Sequence, residues 1–235
     1  PASVAEISEQ TIRAFNLAER LRTPVIVLYD ETIGHLVETV DIPAAEDIEI
    51  WDRKWATGKK EGFLPFQPDD DKIPPMARPG DGFRVHTTGL THAENGFPTQ
   101  DPETVTRVMT RLLTKFDHHR DIVDSYELMD VDDADIVIVT YGISARAARR
   151  AVTDARAKGL KVGLFRPITM WPFPEDALVE ITKNAKTVLV PEMNAGQLVF
   201  EIERLLGRDK VKGVNRIDGE PITPTDILTA VQEVC

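Results

Sequence analysis

Apolar positions in residues 4–21 fall near helical spacing, with Val4, Ile7, Ile12, Phe15 and Ala18 on one side, and predict an amphipathic helix. PVIVLYD, residues 24–30, follows as a short apolar strand. One helix and one strand bury too little to stand alone. They are expected to complete a domain formed elsewhere or to pack on another chain. From about Asp41 to Thr99 the periodicity disappears, and Pro65, Pro68, Pro74, Pro75 and Pro79 interrupt the chain beside the acidic run Asp69-Asp70-Asp71. Trp51, Trp55, Phe63 and Phe66 are too many aromatics for a disordered tether, so the stretch is expected to be an extended segment pinned to a surface. A helix over 103–115 follows, carrying Val105, Val108, Met109, Leu112 and Leu113.

From about Ile122 the pattern alternates. Strands are predicted at 135–141, 161–166, 187–190 and 211–217, and helices at 145–158, 174–183, 195–206 and 224–234. Ser144 is expected as an N-cap with Gly159 after the helix end, Pro174 in a first turn, and Thr223-Pro224 as cap and first position. Strands alternating with helices of this length predict an α/β fold, a mostly parallel sheet flanked by helices. VLVPEMNAGQL, residues 188–198, compresses strand, turn and helix into one run. Pro191 is expected to stop the strand and Asn194 to cap the helix, with Gln197 returning a capping-box bond. Leu198, Ile202, Leu205 and Leu206 share a face that ends at Gly207. In open α/β sheets such turns lie at the carboxyl ends of the strands, where ligands and partners sit.

The 235 residues are 42% apolar and 29% charged, and no apolar run approaches the roughly 20 residues of a membrane span. A net charge of -11 argues against nucleic acid, which needs a positive face, and against docking of an acidic electron carrier on this chain. The single cysteine, Cys235, cannot form an internal disulfide, which points to a reducing, cytoplasmic setting. Nor can it hold an iron–sulfur cluster, which normally takes four thiolates. The opening Pro1-Ala2-Ser3, without methionine, suggests a piece of a longer chain.

Candidate chemistry lies at three turns, each with a plainer reading beside it. Gly142 and Ser144, in Tyr141-Gly142-Ile143-Ser144, could present free N–H groups to an anion, or be an ordinary strand-to-helix turn. Gly89, Thr91, His92, Glu94 and Asn95, within GLTHAENGFPT, offer acid–base or ligand-bonding groups, or a turn-rich loop reversing at Asn95-Gly96. Glu192 with Asn194 could be a crevice carboxylate and its neighbour, or a solvated turn. Asp117-His118-His119 with Asp121 lacks zinc spacing and reads as a solvated helix end, and no metal ligand is assigned. Residues 170–174, MWPFP, form a rigid apolar turn suited to packing or an interface. No Ser-His-Asp constellation or P-loop is present.

DADIVIVTYGISARAARRAV, KVGLFRPITMWPFPE and VLVPEMNAGQL together resemble the carboxyl-terminal part of the alpha subunit of 2-oxoacid:ferredoxin oxidoreductases, most like the 2-oxoglutarate type. EISEQTIRAFNLAERLRTPVIVLYDETIGH resembles the end of that subunit's pyrimidine-binding domain, and GLTHAENGFPT its inter-domain loop. The resemblance implies three parts: 1–40 as the end of the pyrimidine-binding domain, 41–121 as a Pro-rich inter-domain strap and helix, and 122–235 as a transketolase carboxyl-terminal-like domain. It also implies oxidative decarboxylation of a 2-oxoacid to its acyl-CoA on thiamine diphosphate with Mg, electrons leaving through a [4Fe-4S] cluster to ferredoxin. These cofactors would be bound mainly outside this chain, on a companion beta subunit that carries the diphosphate-binding domain. The family's activating glutamate and its YPITP substrate motif match nothing in a corresponding place; Glu220-Pro221-Ile222-Thr223-Pro224 echoes the latter at the wrong end. No catalytic or cofactor-binding residue is therefore carried over, and the isolated chain is expected to be inactive. A dicarboxylate substrate would call for a cation, for which Arg84 and Arg166 are available. The alternatives are a non-catalytic assembly or small-anion-binding module, and the beta-chain domain of a lipoamide-linked 2-oxoacid dehydrogenase.

Overall fold

The computed structural model describes residues 1–235. They group into two compact units, one of Pro1–Glu9, Leu28–Asp41 and Asp124–Cys235, the other of Gln10–Val27 and Ile42–Val123. The helices are α1 (Val4–Leu21), α2 (Glu31–Gly34), α3 (Pro102–Thr114), α4 (Arg120–Val123), α5 (Gly142–Ala157), α6 (Glu175–Thr182), α7 (Gln197–Leu206) and α8 (Pro224–Glu233). The strands are β1 (Tyr126–Met129), β2 (Ile136–Val139), β3 (Val162–Pro167), β4 (Thr187–Glu192) and β5 (Val211–Asn215).

The first unit is built on a five-stranded sheet of order β1-β3-β2-β4-β5, parallel except that β1 runs against β3. Every side chain of the central strand β2 is buried, as expected where helices cover both faces. The two-residue alternation divides them. Val137 and Val139 join Phe165, Val188 and Val190 under Leu178 of α6 and Leu198 and Ile202 of α7. Ile136 and Ile138 join Val162, Leu164 and Leu189 under Ala148, Ala151 and Val152 of α5 and Ile227 and Val231 of α8. The alanine face of α5 presents little bulk to the sheet. At α8 the expected cap forms as a full capping box between Thr223 and Asp226, with Pro224 in the first position.

Two local expectations are corrected here, and one strand is added. Residues 24–30 form no strand, because no neighbouring strand pairs with them and apolar character alone does not make a ladder. The sheet instead gains β1, whose short, mixed sequence gave no alternation to read; its Tyr126 ring stacks on Phe165 at 5.1 Å. Pro191 does not stop β4, which runs on to Glu192. Pairing of β4 with β2 ends at Leu189, so on that side no ladder bond is lost for want of a proline N–H, and the Pro191 carbonyl takes the Thr140 hydroxyl at 2.6 Å.

The second unit has a small core of Leu17, Leu21, Ile73 and Val123, with Trp51, Phe116 and Ile122 against it. The aperiodic segment is held through its carbonyls as well as through the ion pairs of Arg53 with Glu19 and of Glu94 with Arg107. Arg22 donates to the carbonyls of Pro65 (2.7 Å), Pro74 (3.3 Å) and Pro75 (3.2 Å), and its guanidinium lies 4.9 Å from the Phe66 ring. Arg111 donates to the Lys72 carbonyl, Lys115 to that of Leu21, and Asn16 clasps the Glu49 carbonyl and the Trp51 N–H. Prolines subtract donors but leave acceptors, and long basic side chains make up the shortage.

Candidate functional site

At the carboxyl ends of the neighbouring strands β2 and β4, α5 and α7 begin on opposite faces of the sheet, and both starts are occupied by carboxylates of the chain itself. α5 begins at Gly142 rather than after Ser144, whose side chain is buried in the first helical turn. The Asp30 carboxylate accepts the Ile143 N–H at 2.7 Å. Gly142 sits at φ +58°, and a Cβ there would come within 2.1 Å of Asp30 Oδ2, so this turn requires glycine twice over. The expected role of Ser144 as N-cap is thereby corrected: the chain's capping oxygen comes from Asp30, 113 residues away in sequence.

α7 shows the same device. Glu192, the last residue of β4, is 1% exposed, and its two carboxylate oxygens accept the N–H groups of Leu198 (2.8 Å) and Val199 (3.0 Å). It is neither past its strand nor solvated. Asn194 is not the N-cap; Gly196, at φ 109°, holds that position, and no capping box with Gln197 forms. Asn194 instead makes a local turn, its side-chain oxygen accepting from Gly196 (2.8 Å) and Gln197 (3.0 Å). The extra Ala195-Gly196 in this turn moves the helix start beyond the position that the sequence marks.

Between the two helix starts lies a cavity of about 50 Å³, lined by Asp30, Thr140, Tyr141, Ser144, Glu192 and Asn194 among others. No cation lines it. Burial, then the Glu192 and Asp30 charges, push the Tyr141 phenol above its ordinary pKa, so it remains a proton donor at neutral pH. Four of the sequence candidates, Gly142, Ser144, Glu192 and Asn194, are thus brought to one crevice. Asp30, Thr140 and Tyr141 complete it. Only Gly142, a glycine directly after a strand, hinted that something approaches closely there.

Beside this crevice an open cleft of about 530 Å³ is walled by Tyr141, Trp171, Phe173 and Leu198. On its rim Arg204 pairs with Glu175 and Glu201, each at 2.6 Å. Trp171 is largely exposed, so the MWPFP turn does present an apolar surface.

The other candidates belong to the second unit. Residues 91–99 reverse tightly: Ala93 N–H donates to Phe97 O, Thr99 N–H to Thr91 O, and Asn95 caps the Phe97 N–H. The His92 ring rests 4.0 Å from that of Phe66. Glu94 pairs with Arg107 at 2.9 Å. Burial would raise the Glu94 pKa, but the hydrogen bonds and Arg107 outweigh it and hold the carboxyl below its usual range, unsuited to a base near neutrality. Gly89 has open space around it. His119 places a ring nitrogen 2.8 Å from the Asp71 carbonyl.

Residues 1–111 match the family profile described as pyruvate flavodoxin/ferredoxin oxidoreductase, thiamine diphosphate-binding, and residues 134–227 match pyruvate:ferredoxin oxidoreductase core domain II. The chain is 41% identical over 233 residues to 2-oxoglutarate synthase subunit KorA of Methanothermobacter marburgensis, covering 98% of this chain and 62% of the relative. It is 42% identical over 232 residues to the KorA subunit of Methanocaldococcus jannaschii, again over 98% of this chain and 62% of the relative. The chain therefore spans a little under two thirds of the length of these curated relatives. A solved 2-oxoglutarate:ferredoxin oxidoreductase from Magnetococcus marinus, with 2-oxoglutarate, coenzyme A and succinyl-CoA bound, superposes with a TM-score of 0.91 at 30% identity, covering 99% of this chain and 41% of the other. On these matches the chain belongs to the 2-oxoacid:ferredoxin oxidoreductase family.

Proposed function

We propose that this chain is part of the alpha subunit of an enzyme that oxidatively decarboxylates 2-oxoglutarate to succinyl-CoA, with thiamine diphosphate as cofactor and ferredoxin as electron acceptor. The observation that carries the reading is the similarity to 2-oxoglutarate synthase subunits across 98% of the chain. Within it, 1–40 would close a pyrimidine-binding domain, 41–121 would strap it, and 122–235 would serve as the transketolase carboxyl-terminal-like domain.

The residues present do not fit the diphosphate of the cofactor. The crevice at the strand ends carries Asp30 and Glu192 and no cation, whereas a diphosphate needs positive charge or free N–H groups. One cysteine is likewise too few for a [4Fe-4S] cluster. In the proposed enzyme, diphosphate, Mg and cluster would accordingly be held outside this chain, on a companion beta subunit. Arg166 is no cation for the substrate's distal carboxylate: it is buried and bonded to Glu6 through two nitrogens and to Glu127. No helix is long and apolar enough to cross a membrane; a reducing cytoplasmic setting, inferred from cysteine usage, suits the proposed chemistry.

The test is reconstitution of the full-length alpha subunit with its companion, followed by ferredoxin reduction with 2-oxoglutarate and coenzyme A. Turnover with 2-oxoglutarate well above that with pyruvate supports the reading; a preference for another 2-oxoacid replaces the substrate, and none with any 2-oxoacid defeats it. The 235-residue chain alone is expected to show no turnover.

A further inference from the structure

The crevice between β2 and β4 is where an open α/β sheet offers helix N-termini to ligands, and phosphate groups are the usual occupants. Here both are already taken. We propose that Asp30 and Glu192 are resident anions that close this crevice to phosphate-bearing ligands. The diphosphate and coenzyme A groups used by such a complex would then be held elsewhere. The inference stands on the crevice's own geometry and holds whether or not the proposed activity does.

Asp30 takes the Ile143 N–H at 2.7 Å, and the glycine before it leaves the space that the carboxylate fills. Glu192 takes two further N–H groups at the start of α7. The cavity left between them, about 50 Å³, suits a few waters at most. A phosphate entering it would meet two carboxylates and no compensating cation.

Asp30 is also firmly delivered. In the segment after it Ile33 is fully buried, and Glu38 accepts the Val4 N–H and an Arg146 nitrogen, each at 2.8 Å. A short anchored segment thus brings its carboxylate to the helix start. Removing that carboxylate would restore an ordinary anion-binding helix start at α5.

The experiment is amide-resolved NMR of the 235-residue chain titrated with inorganic phosphate and then inorganic diphosphate. In the unsubstituted chain the Ile143, Ser144, Leu198 and Val199 amides are expected to show no saturable shift. Asp30→Ala should make the Ile143 and Ser144 amides respond saturably, at least about tenfold more tightly than any response before substitution. Asp30→Asn, which keeps the shape and an acceptor while removing the charge, should give a smaller response at the same amides. Saturable binding at these amides in the unsubstituted chain overturns the proposal whatever the variants do. So does a folded Asp30→Ala chain whose amides ignore both ions.

Discussion

The sheet-based unit and the proline-rich unit hold their shapes by opposite means. In the first, backbone groups satisfy one another along the ladders, and packed apolar side chains supply the cohesion. In the second, a four-residue buried core is supplemented by Arg22, Arg111 and Lys115 reaching backbone carbonyls that no ladder pairs. The lesson is that a segment without periodicity can still be ordered when its hydrogen-bond shortage is met from side chains.

The comparison breaks hardest at Phe165, fully buried in the sheet and stacked on Tyr126. Phe165→Ala should cost about 4 kcal/mol, read by denaturant unfolding, with protection lost in β2, β3 and β4 while amides of the second unit keep theirs. Equal loss in both units would show that they unfold together.

Lys115 gives the next largest effect. Burial first, then Arg111 and Arg22, lower its pKa from 10.5 to about 8. Below about 8 the lysine is protonated both folded and unfolded, so this site adds no pH dependence there. Between about 8 and 10.5 the unfolded chain binds a proton that the folded chain lacks, so stability rises with pH, by up to about 3 kcal/mol. Lys115→Met should flatten that rise; an unchanged slope would mean that Lys115 titrates normally.

Arg22→Met keeps the apolar stem but removes the donors to three carbonyls, and should cost about 2 kcal/mol, with faster proteolysis confined to residues 65–75. A cost near zero would locate the strap's hold elsewhere. The smallest effect is expected at Asp101, whose side chain caps α3 by accepting the Thr104 N–H at 2.8 Å. Asp101→Ala should lower stability by about 1 kcal/mol, measured as a shift in the unfolding midpoint; no shift would mean that the strap already fixes the start of α3.

Much of the fold was legible because its signals are local. The helix over 4–21 formed with those bounds, and the four strands found from the sequence kept their cores though not their ends. A strand, however, is a relation between segments. PVIVLYD has strand composition without a partner, and YELM has a partner without strand composition. The site divides in the same way. Gly142, Ser144, Glu192 and Asn194 could be found because turns announce themselves within a few residues. Asp30 could not, because its bond to Ile143 spans 113 residues and nothing near Asp30 marks it. Glu192 was visible as a carboxylate, but its burial depends on a helix whose start the intervening turn displaces.

The carbonyl contacts of the proline-rich segment also bear on ionic strength. Arg22 and Arg111 are bonded there to dipoles, not to opposite charges. Mobile ions screen charge–charge attraction between exposed groups far more than a buried bond to a carbonyl. Surface pairs such as Arg204 with Glu175 and Glu201, and Arg107 with Glu94 in the strap, should therefore loosen in strong salt while the carbonyl bonds from Arg22 and Arg111 stay fastened, their grip set by the stoichiometry of donors and acceptors.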